Sequence, residues 1–151
     1  MTMERTLVLI KPDGVQRGLI GEIVRRFERR GLHLSGMKLM SVSPELAAQH
    51  YAEHRGKPFY DGLIQFITAS PVVAMVWEGP GVVVMVRAMM GATNPANAAP
   101  GTMRGDLAVD FGMNVVHGSD GVERAETEVA LFFRPEELAT WENAAERWIR
   151  E

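Results

Sequence analysis

The sequence predicts an α+β domain in which a small sheet is covered by amphipathic helices. Short apolar runs bounded by turn residues indicate buried strands, and segments with apolar residues at helical spacing indicate helices. The two kinds of segment alternate as split strand–helix–strand units. With 151 residues, 46% of them hydrophobic, we expect a single domain over residues 1–151.

The first strand and helix are defined by an apolar run and a periodic stripe. Residues 6–10 form a continuous apolar run that predicts a buried strand, and the turn residues at 11–14 end it. In residues 20–27 apolar side chains recur at helical spacing, and Gly31 is placed to close that helix.

The next segment predicts a second strand and two helices. Residues 32–42 have strand character, with Gly36 interrupting the alternation. Ser43 followed by Pro44 is a typical N-cap with proline at the first helical position. The second of these helices carries an apolar stripe of Phe59, Leu63, Phe66 and Ile67.

The second half of the chain contains one ambiguous segment. Residues 71–77 predict a third strand, whereas residues 82–86 combine β-branched side chains with spacing that also fits a helix. Residues 91–112 form a long loop rich in glycine, proline, asparagine and alanine, and loops of that length are often functional. Residues 114–117 predict a short final strand.

Two helices are predicted at the end of the chain. Asp120 and Glu123 resemble a capping box for a helix whose buried stripe reaches Phe132. Apolar residues between Leu138 and Trp148 again repeat at helical spacing. The order βαββαβ is typical of a ferredoxin-like α+β sandwich.

Composition excludes several classes of protein. The absence of cysteine excludes disulfides and thiolate metal sites. No stretch approaches the roughly 20 apolar residues of a membrane helix, and the apolar run at residues 7–10 is too short for a signal peptide. A net charge of −3 without a basic patch disfavours strong nucleic-acid binding. We therefore expect a cytoplasmic protein.

Residues 114–120, with the sequence NVVHGSD, carry the strongest chemical signal. They place His117 at the end of a strand and before a helix start, where unpaired N–H groups favour a phosphate. Free histidine has a pKa of about 6.5, so its ring is largely neutral and nucleophilic at cellular pH. Glu128 in the following helix could orient the second ring nitrogen. Taken alone, however, such a histidine is more often structural.

Five sequence blocks resemble the nucleoside diphosphate kinase family nearly from end to end. They are residues 4–14 (ERTLVLIKPDG), 56–59 (GKPF), 91–95 (GATNP), 100–106 (PGTMRGD) and 114–120. The HGSD tetrapeptide alone would be a moderate signal, but five ordered blocks at the family's spacing are not expected by chance. The resemblance implies a four-stranded antiparallel sheet and favours a helix at residues 82–86.

The resemblance implies a ping-pong reaction on His117. A nucleoside triphosphate such as ATP phosphorylates the histidine, and a second nucleoside diphosphate then takes the phosphoryl group. The phosphate ligands implied by matching positions are Lys11, Arg87, Thr93 and Arg104. Guanidinium groups suit this role because they stay charged and match phosphate oxygens.

The resemblance also assigns the sugar and base contacts. Asn114 resembles the family's ribose contact, together with Lys11. Phe59 and Leu63 look like one face of the base site, with Phe111 on the other side. Because stacking uses a π-face that every base has, this arrangement implies loose base selectivity.

Support for the histidine and the metal is implied in the same way. Tyr51 and Ser119 would support His117, the serine by way of Glu128. Asp120 resembles the position that holds Mg²⁺ through water while the metal bridges the phosphates. The family forms homo-oligomers, and we expect a hexamer in preference to a tetramer, with residues 95–100 in the subunit contact.

Some positions depart from the family pattern, and two other functions are compatible with the fold. Gly121 stands where serine is usual, Met113 replaces a commonly basic residue, and Phe111 is bulkier than the usual aliphatic side chain. One alternative is a catalytically silent assembly or regulatory relative, although such relatives typically lose the histidine or a phosphate ligand. Another is a nucleic-acid-binding regulator. Residues 50–54 match the zinc-protease pattern His-x-x-Glu-His, but no third ligand is evident.

Overall fold

A four-stranded antiparallel sheet forms the centre of the protein. In the computed structural model, which describes residues 3–151, the strand order is β2–β3–β1–β4. The strands are β1 (Met3–Ile10), β2 (His33–Met40), β3 (Val72–Pro80) and β4 (Val116–Gly118). Every neighbouring pair is antiparallel, which confirms the predicted fold class.

Seven α-helices within residues 3–151 connect the strands and cover the sheet. They are α1 (Pro12–Gln16), α2 (Ile20–Arg30), α3 (Pro44–His50), α4 (Tyr60–Thr68), α5 (Val82–Met90), α6 (Met103–Leu107) and α7 (Val122–Phe132). Residues 82–86 lie in α5, so the helix implied by the resemblance is confirmed against the β-propensity of the run.

The central strand β1 contributes to two hydrophobic cores. Because side chains alternate across a strand, Val8 and Ile10 enter one core and Leu7 and Leu9 enter the other. All four are fully buried, which explains why the strand reads as a continuous apolar run. The sheet is thus covered on both faces.

Local signals account for several element boundaries. Gly31 ends α2 in the left-handed conformation at φ 96°. The Oγ atom of Ser43 accepts a hydrogen bond from the backbone N–H of Leu46 over 3.0 Å and caps α3. The pairing of β2 with β3 shifts register between Leu34 and Gly36. These features confirm the predicted N-cap at Ser43, the predicted end of α2 at Gly31 and the predicted interruption of β2 at Gly36.

The capping box predicted at Asp120 and Glu123 is wrong. Helix α7 begins at Val122, so its N-cap is Gly121, which has extended backbone and no side chain to accept a hydrogen bond. Asp120 lies one residue outside the N-cap and is exposed. A capping box needs the side chain at the N-cap itself.

The C-terminal helix predicted from Leu138 to Trp148 is also wrong. The C-terminal tail, residues 138–151, contains a single described 3₁₀ turn at Glu146–Trp148. The N–H of Ala139 donates to the carbonyl of Ser35 over 2.7 Å, and Nε1 of Trp141 donates to the carbonyl of Leu34 over 2.8 Å. These hydrogen bonds to β2 replace those that a helix would form.

Gly31→Ala should lower the free energy of unfolding by about 1–2 kcal/mol, measured by chemical denaturation. The left-handed φ of 96° disfavours alanine, and the new Cβ would lie 2.8 Å from Cγ2 of Ile149. Gly21→Ala in the first turn of α2 is the control, because its Cβ would meet no described atom within 4 Å. That control should be stabilising by up to about 1 kcal/mol. Equal changes in both variants would contradict the explanation.

Candidate active site

His117 lies in β4, directly opposite Leu9 of the central strand. Its side chain is half-buried, 23% exposed, in the middle of a strand that spans only Val116–Gly118. The strand begins two residues later than the sequence predicts. One side of the imidazole faces the protein interior, which fixes how the ring can be used.

The late start of β4 follows from an unusual backbone conformation at Val115. Its φ is 74°, and a β-branched residue in the left-handed region is a genuine outlier. The N–H of Val115 donates to Oδ2 of Asp13 over 3.0 Å, and its carbonyl accepts from the N–H of Lys11 over 2.8 Å. These bonds to the start of α1 hold the strained residue between Asn114 and β4. Such strain typically clusters at functional sites.

Glu128 of α7 orients the imidazole of His117. Nε2 of His117 donates to Oε1 of Glu128 over 3.0 Å, and the hydroxyl of Ser119 donates to the same oxygen over 2.6 Å. In a neutral imidazole with its proton on Nε2, the lone pair belongs to Nδ1. The contact of Ser119 through Glu128 has the geometry that the resemblance implies.

The carboxyl group of Glu128 stays ionised although it is only 2% exposed. Burial opposes ionisation, but the hydrogen bonds from His117 and Ser119 and the charge of His117 lower the pKa of Glu128 to about 2. A second oxygen, Oε2, accepts from Nε of Arg124 over 3.1 Å. The site therefore contains a permanent buried negative charge.

His50, the last residue of α3, packs behind His117. Their rings meet edge to face with centroids 4.8 Å apart, and Nδ1 of His50 lies 3.6 Å from Oε2 of Glu128. Within residues 3–151 neither ring nitrogen of His50 has a hydrogen-bond partner. Burial, followed by the nearby charge of His117, lowers the pKa of His50 to about 3. His50 is thus neutral.

Tyr51 contacts His50, which in turn contacts His117. The rings of Tyr51 and His50 lie 4.7 Å apart. Burial and the charge of Glu128 raise the pKa of the phenol to about 12, so Tyr51 remains protonated. Tyr51 therefore reaches His117 only by way of the ring of His50.

Arg104 is buried and binds backbone carbonyls on three sides. Its guanidinium donates to Asn114 over 3.2 Å, to Gly91 over 3.1 Å and to Val116 over 2.6 Å. Burial, then the charge of Arg87, lowers the pKa of Arg104 to about 10. Since arginine has five N–H donors, two remain for a ligand.

Arg87 and Lys11 are, with Arg104, the cationic side chains among the predicted phosphate ligands. Arg87, near the end of α5, is exposed and donates to the carbonyl of Gly118 over 3.3 Å. Nζ of Lys11 donates to Oδ1 of Asn114 over 2.8 Å, and the Asn114 amide donates to the carbonyl of Thr93 over 2.9 Å. Burial and then Arg104 lower the pKa of Lys11 to about 8, although Asp13 opposes the shift.

The remaining predicted residues lie outside these contacts. Phe59 is 52% exposed and Phe111 63% exposed, Leu63 follows one turn after Phe59, and Asp120 is exposed beside the start of α7. The structure thus brings together His117, Glu128 and Ser119, and separately Lys11, Arg104, Asn114 and the backbone of Thr93. The base and metal assignments stay predictions.

Two residues of this cluster carry no functional motif in the sequence. His50 belongs only to the zinc-protease pattern of residues 50–54, and Arg124 belongs to none of the five family blocks. Arg124 lies four residues before Glu128, a spacing at which helix side chains meet, so this pair could have been found. No local pattern indicates that His50 reaches the same carboxylate.

The chain was compared with known proteins. The family described as Nucleoside diphosphate kinase matches residues 4–138. A nucleoside diphosphate kinase of Cyanothece sp. is 61% identical over 99% of this chain and 100% of its own, and one of Carboxydothermus hydrogenoformans is 60% identical with the same coverage. The halophilic nucleoside diphosphate kinase of Halobacterium salinarum, solved in complex with CDP, superposes with a TM-score of 0.96 at 54% identity, covering 99% of this chain and 100% of its own.

His50→Phe should flatten the pH dependence of stability between about pH 6.5 and pH 3. Because the folded pKa of His50 is about 3, its neutral form stabilises the protein above the unfolded value of 6.5 and loses that effect as the pH falls. The wild-type slope from this group should reach about 1.4 kcal/mol per pH unit. Urea unfolding at several pH values measures it.

The unfolding measurements on wild type and His50→Phe contain their own control at higher pH. Above about pH 7 the unfolding free energies of wild type and His50→Phe should run parallel, because His50 is neutral in both the folded and unfolded states there. An identical slope for both proteins between pH 6 and pH 4 would contradict the assignment of a neutral buried His50.

Proposed function

This chain belongs to the nucleoside diphosphate kinase family, and from that premise we propose that it transfers phosphoryl groups through a covalent intermediate on His117. Its activity is that of a nucleoside diphosphate kinase, a phosphotransferase that acts on nucleotides. The observation that carries the proposed mechanism is the 3.0 Å hydrogen bond from Nε2 of His117 to Oε1 of Glu128.

In the first half-reaction the lone pair on Nδ1 of His117 attacks the γ-phosphorus of a nucleoside triphosphate such as ATP. The bond from that phosphorus to the β–γ bridging oxygen breaks, and the nucleoside diphosphate leaves with the electron pair. The ring gains positive charge as the N–P bond forms. Glu128 stabilises that charge while Nε2 keeps its proton.

The second half-reaction reverses these bonds with a different nucleoside diphosphate. Its terminal β-phosphate oxygen attacks the phosphorus, the N–P bond breaks, and its electron pair returns to Nδ1 of His117. A new nucleoside triphosphate leaves and the neutral ring is restored. Phosphoryl transfer depends mainly on positioning and charge stabilisation, both of which the contacts of Glu128 support.

We propose that Arg87, Arg104, Lys11 and Thr93 bind the phosphates. Arg104 supports this role as a fixed positive charge with two N–H groups left over from its backbone contacts. Lys11, with a pKa of about 8, still carries its charge at neutral pH. Arg87 is the most exposed of the three cations, which suits the outer part of a triphosphate.

The sugar and base are proposed to lie between Asn114 and the exposed aromatic side chains. The amide of Asn114 retains one N–H and one oxygen lone pair beyond its contacts to Lys11 and Thr93, and these suit ribose hydroxyls. Phe59 with Leu63, and Phe111 on the other side, offer stacking surfaces for any base. The relative from Halobacterium salinarum was solved with CDP, a ligand of this class.

Mg²⁺ is the proposed cofactor, and the donors near the site fit it. Asp120 offers an exposed carboxylate one residue after Ser119, and Mg²⁺ prefers oxygen ligands while keeping several waters. Asp120 would hold the hydrated ion against the phosphates. When bound, the ion neutralises charge on the leaving diphosphate.

We further propose a cytoplasmic homo-oligomer, with a hexamer favoured over a tetramer, built from a single domain over residues 1–151. Exposed apolar side chains on the edge strand β2 and just after α6, a helix within the segment that the sequence predicts as one long loop, support self-association; they include Met37, Leu39 and Val109, the last 94% exposed. No helix in residues 3–151 is long and apolar enough to cross a bilayer. The net charge of −3 argues against strong nucleic-acid binding.

The alternative of a catalytically silent relative is not favoured. Such relatives typically lack the histidine or a phosphate ligand, whereas His117, Glu128 and the three cationic residues are all present in this chain.

His117→Ala should abolish covalent labelling. Incubating the wild type with γ-labelled ATP and Mg²⁺ should give a phosphoprotein that is labile to acid and stable to base, because an N–P bond forms at the imidazole. His33→Ala is the control, since that ring stacks on Trp141 at the edge of the sheet. It should label like the wild type, and labelling that survives in His117→Ala would refute the nucleophile.

Glu128→Gln should slow transfer by roughly 10² while leaving nucleotide affinity nearly unchanged, because the amide keeps the shape of the carboxylate but not its charge. Single-turnover kinetics and equilibrium binding separate the two effects. Glu126→Gln, on the exposed side of the same helix, should change neither. Loss of nucleotide binding in Glu128→Gln would instead indicate a structural role.

A further inference from the structure

The Oε2 atom of Glu128 has contacts of its own, separate from those of Oε1. Nε of Arg124 donates to Oε2 over 3.1 Å, and Nδ1 of His50 lies 3.6 Å from the same atom. The mechanism proposed above uses only Oε1, which accepts from His117 and Ser119. The mechanism thus gives no role to Arg124 and His50, the two groups beside Oε2.

Arg124 is tied to two different elements. It lies one turn before Glu128 in α7, and its Nη2 donates to the backbone carbonyl of His50 over 2.6 Å. His50 ends α3, and the last carbonyls of a helix have no partner within that helix. The side chain is only 26% exposed. It thus differs from a solvated surface ion pair, whose contribution is usually small.

The contact on Oε2 restricts rotation of the carboxylate. The terminal torsion of a glutamate has a broad energy profile, so a carboxylate held by one oxygen can swing. With Arg124 bound to Oε2, any rotation of the Glu128 carboxylate weakens the hydrogen bonds on both oxygens together. The contacts on both carboxylate oxygens therefore fix the direction in which Oε1 accepts from Nε2 of His117.

We propose that Arg124 is a positioning residue for phosphoryl transfer, which holds Oε2 of Glu128 so that Oε1 stays directed at Nε2 of His117. The proposal rests on the role of His117 proposed above. Arg124 acts through Glu128 and the ring, so its removal affects the chemical step rather than nucleotide binding. His50 contributes the carbonyl that anchors the guanidinium.

The same cluster could instead bind a metal ion. Ligand atoms of His50, His117 and Glu128 lie within 4.8 Å of one another. However, the carboxylate already accepts from His117, Ser119 and Arg124. A cation there would displace the N–H of His117 and lie beside a guanidinium that repels it. The contacts therefore favour positioning over metal binding.

The test compares Arg124→Met and Arg124→Lys with the wild type. In Arg124→Met we expect kcat to fall roughly tenfold with KM for the nucleotide within about twofold, because the acceptor is misaligned but no phosphate ligand is lost. Arg124→Lys keeps the charge and N–H donors for Oε2 but lacks the planar fork, so it should restore part of the rate.

Arg150→Met is the matched control. Arg150 also forms a pair with a glutamate four residues away, Glu146, and donates to a backbone carbonyl, that of Gly31. Its side chain is 28% exposed, close to that of Arg124. This variant should keep the wild-type kcat and KM, which separates loss of an ordinary ion pair from loss of positioning.

Three outcomes are decisive. An unchanged kcat in Arg124→Met would overturn the proposal, and so would equal rate losses in the methionine and lysine variants. Should Arg124→Met fail to fold, Arg124→Gln gives the same comparison. Wild-type protein that carries no phosphate on His117 would instead refute the proposed nucleophile, leaving Arg124 with no reaction to support and the inference overturned with it.

Discussion

The buried, ionised carboxylate of Glu128 is the constraint on which the candidate site depends. Removing a carboxylate from water opposes its ionisation, yet hydrogen bonds from His117 and Ser119 keep its pKa at about 2. Arg124 satisfies the other oxygen. Because one charge orders all these donors, the position of each is tied to the others, and the ring of His117 has one preferred tautomer.

The sheet explains how that charge can be held away from water. Strand β1 is buried on both faces, α7 packs against it, and β4 lies beside it at the edge of the sheet. His117 therefore emerges from β4 with Glu128 of α7 on its inner side. The outer side of the ring is left to face a ligand, and the strained Val115 supports this by turning the chain just before the strand.

The cationic side chains serve the fold and the proposed ligand together. Arg104 joins the long loop to the start of β4 through backbone carbonyls, and Lys11 is held by Asn114. Side chains fixed in this way need little reorganisation when a phosphate arrives, which is how preorganised charge favours phosphoryl transfer. The departures at Gly121 and Met113 lie at exposed or partly exposed positions outside these contacts.

The sequence alone determined most of the element order, the family and the pairing of His117 with Glu128. Periodicity, caps and turn residues are local properties, and the motif blocks carry the site residues in order. The local pattern did not decide between helix and strand for residues 82–86. It predicted a helix in the C-terminal tail that does not form, because hydrogen bonds from Ala139 and Trp141 to β2 outweigh a helical repeat. Arg124 meets Glu128 at a spacing that the sequence shows, but only the tertiary structure brought His50, 74 residues before Arg124, to the same carboxylate, since no local signal encodes a contact between two helices.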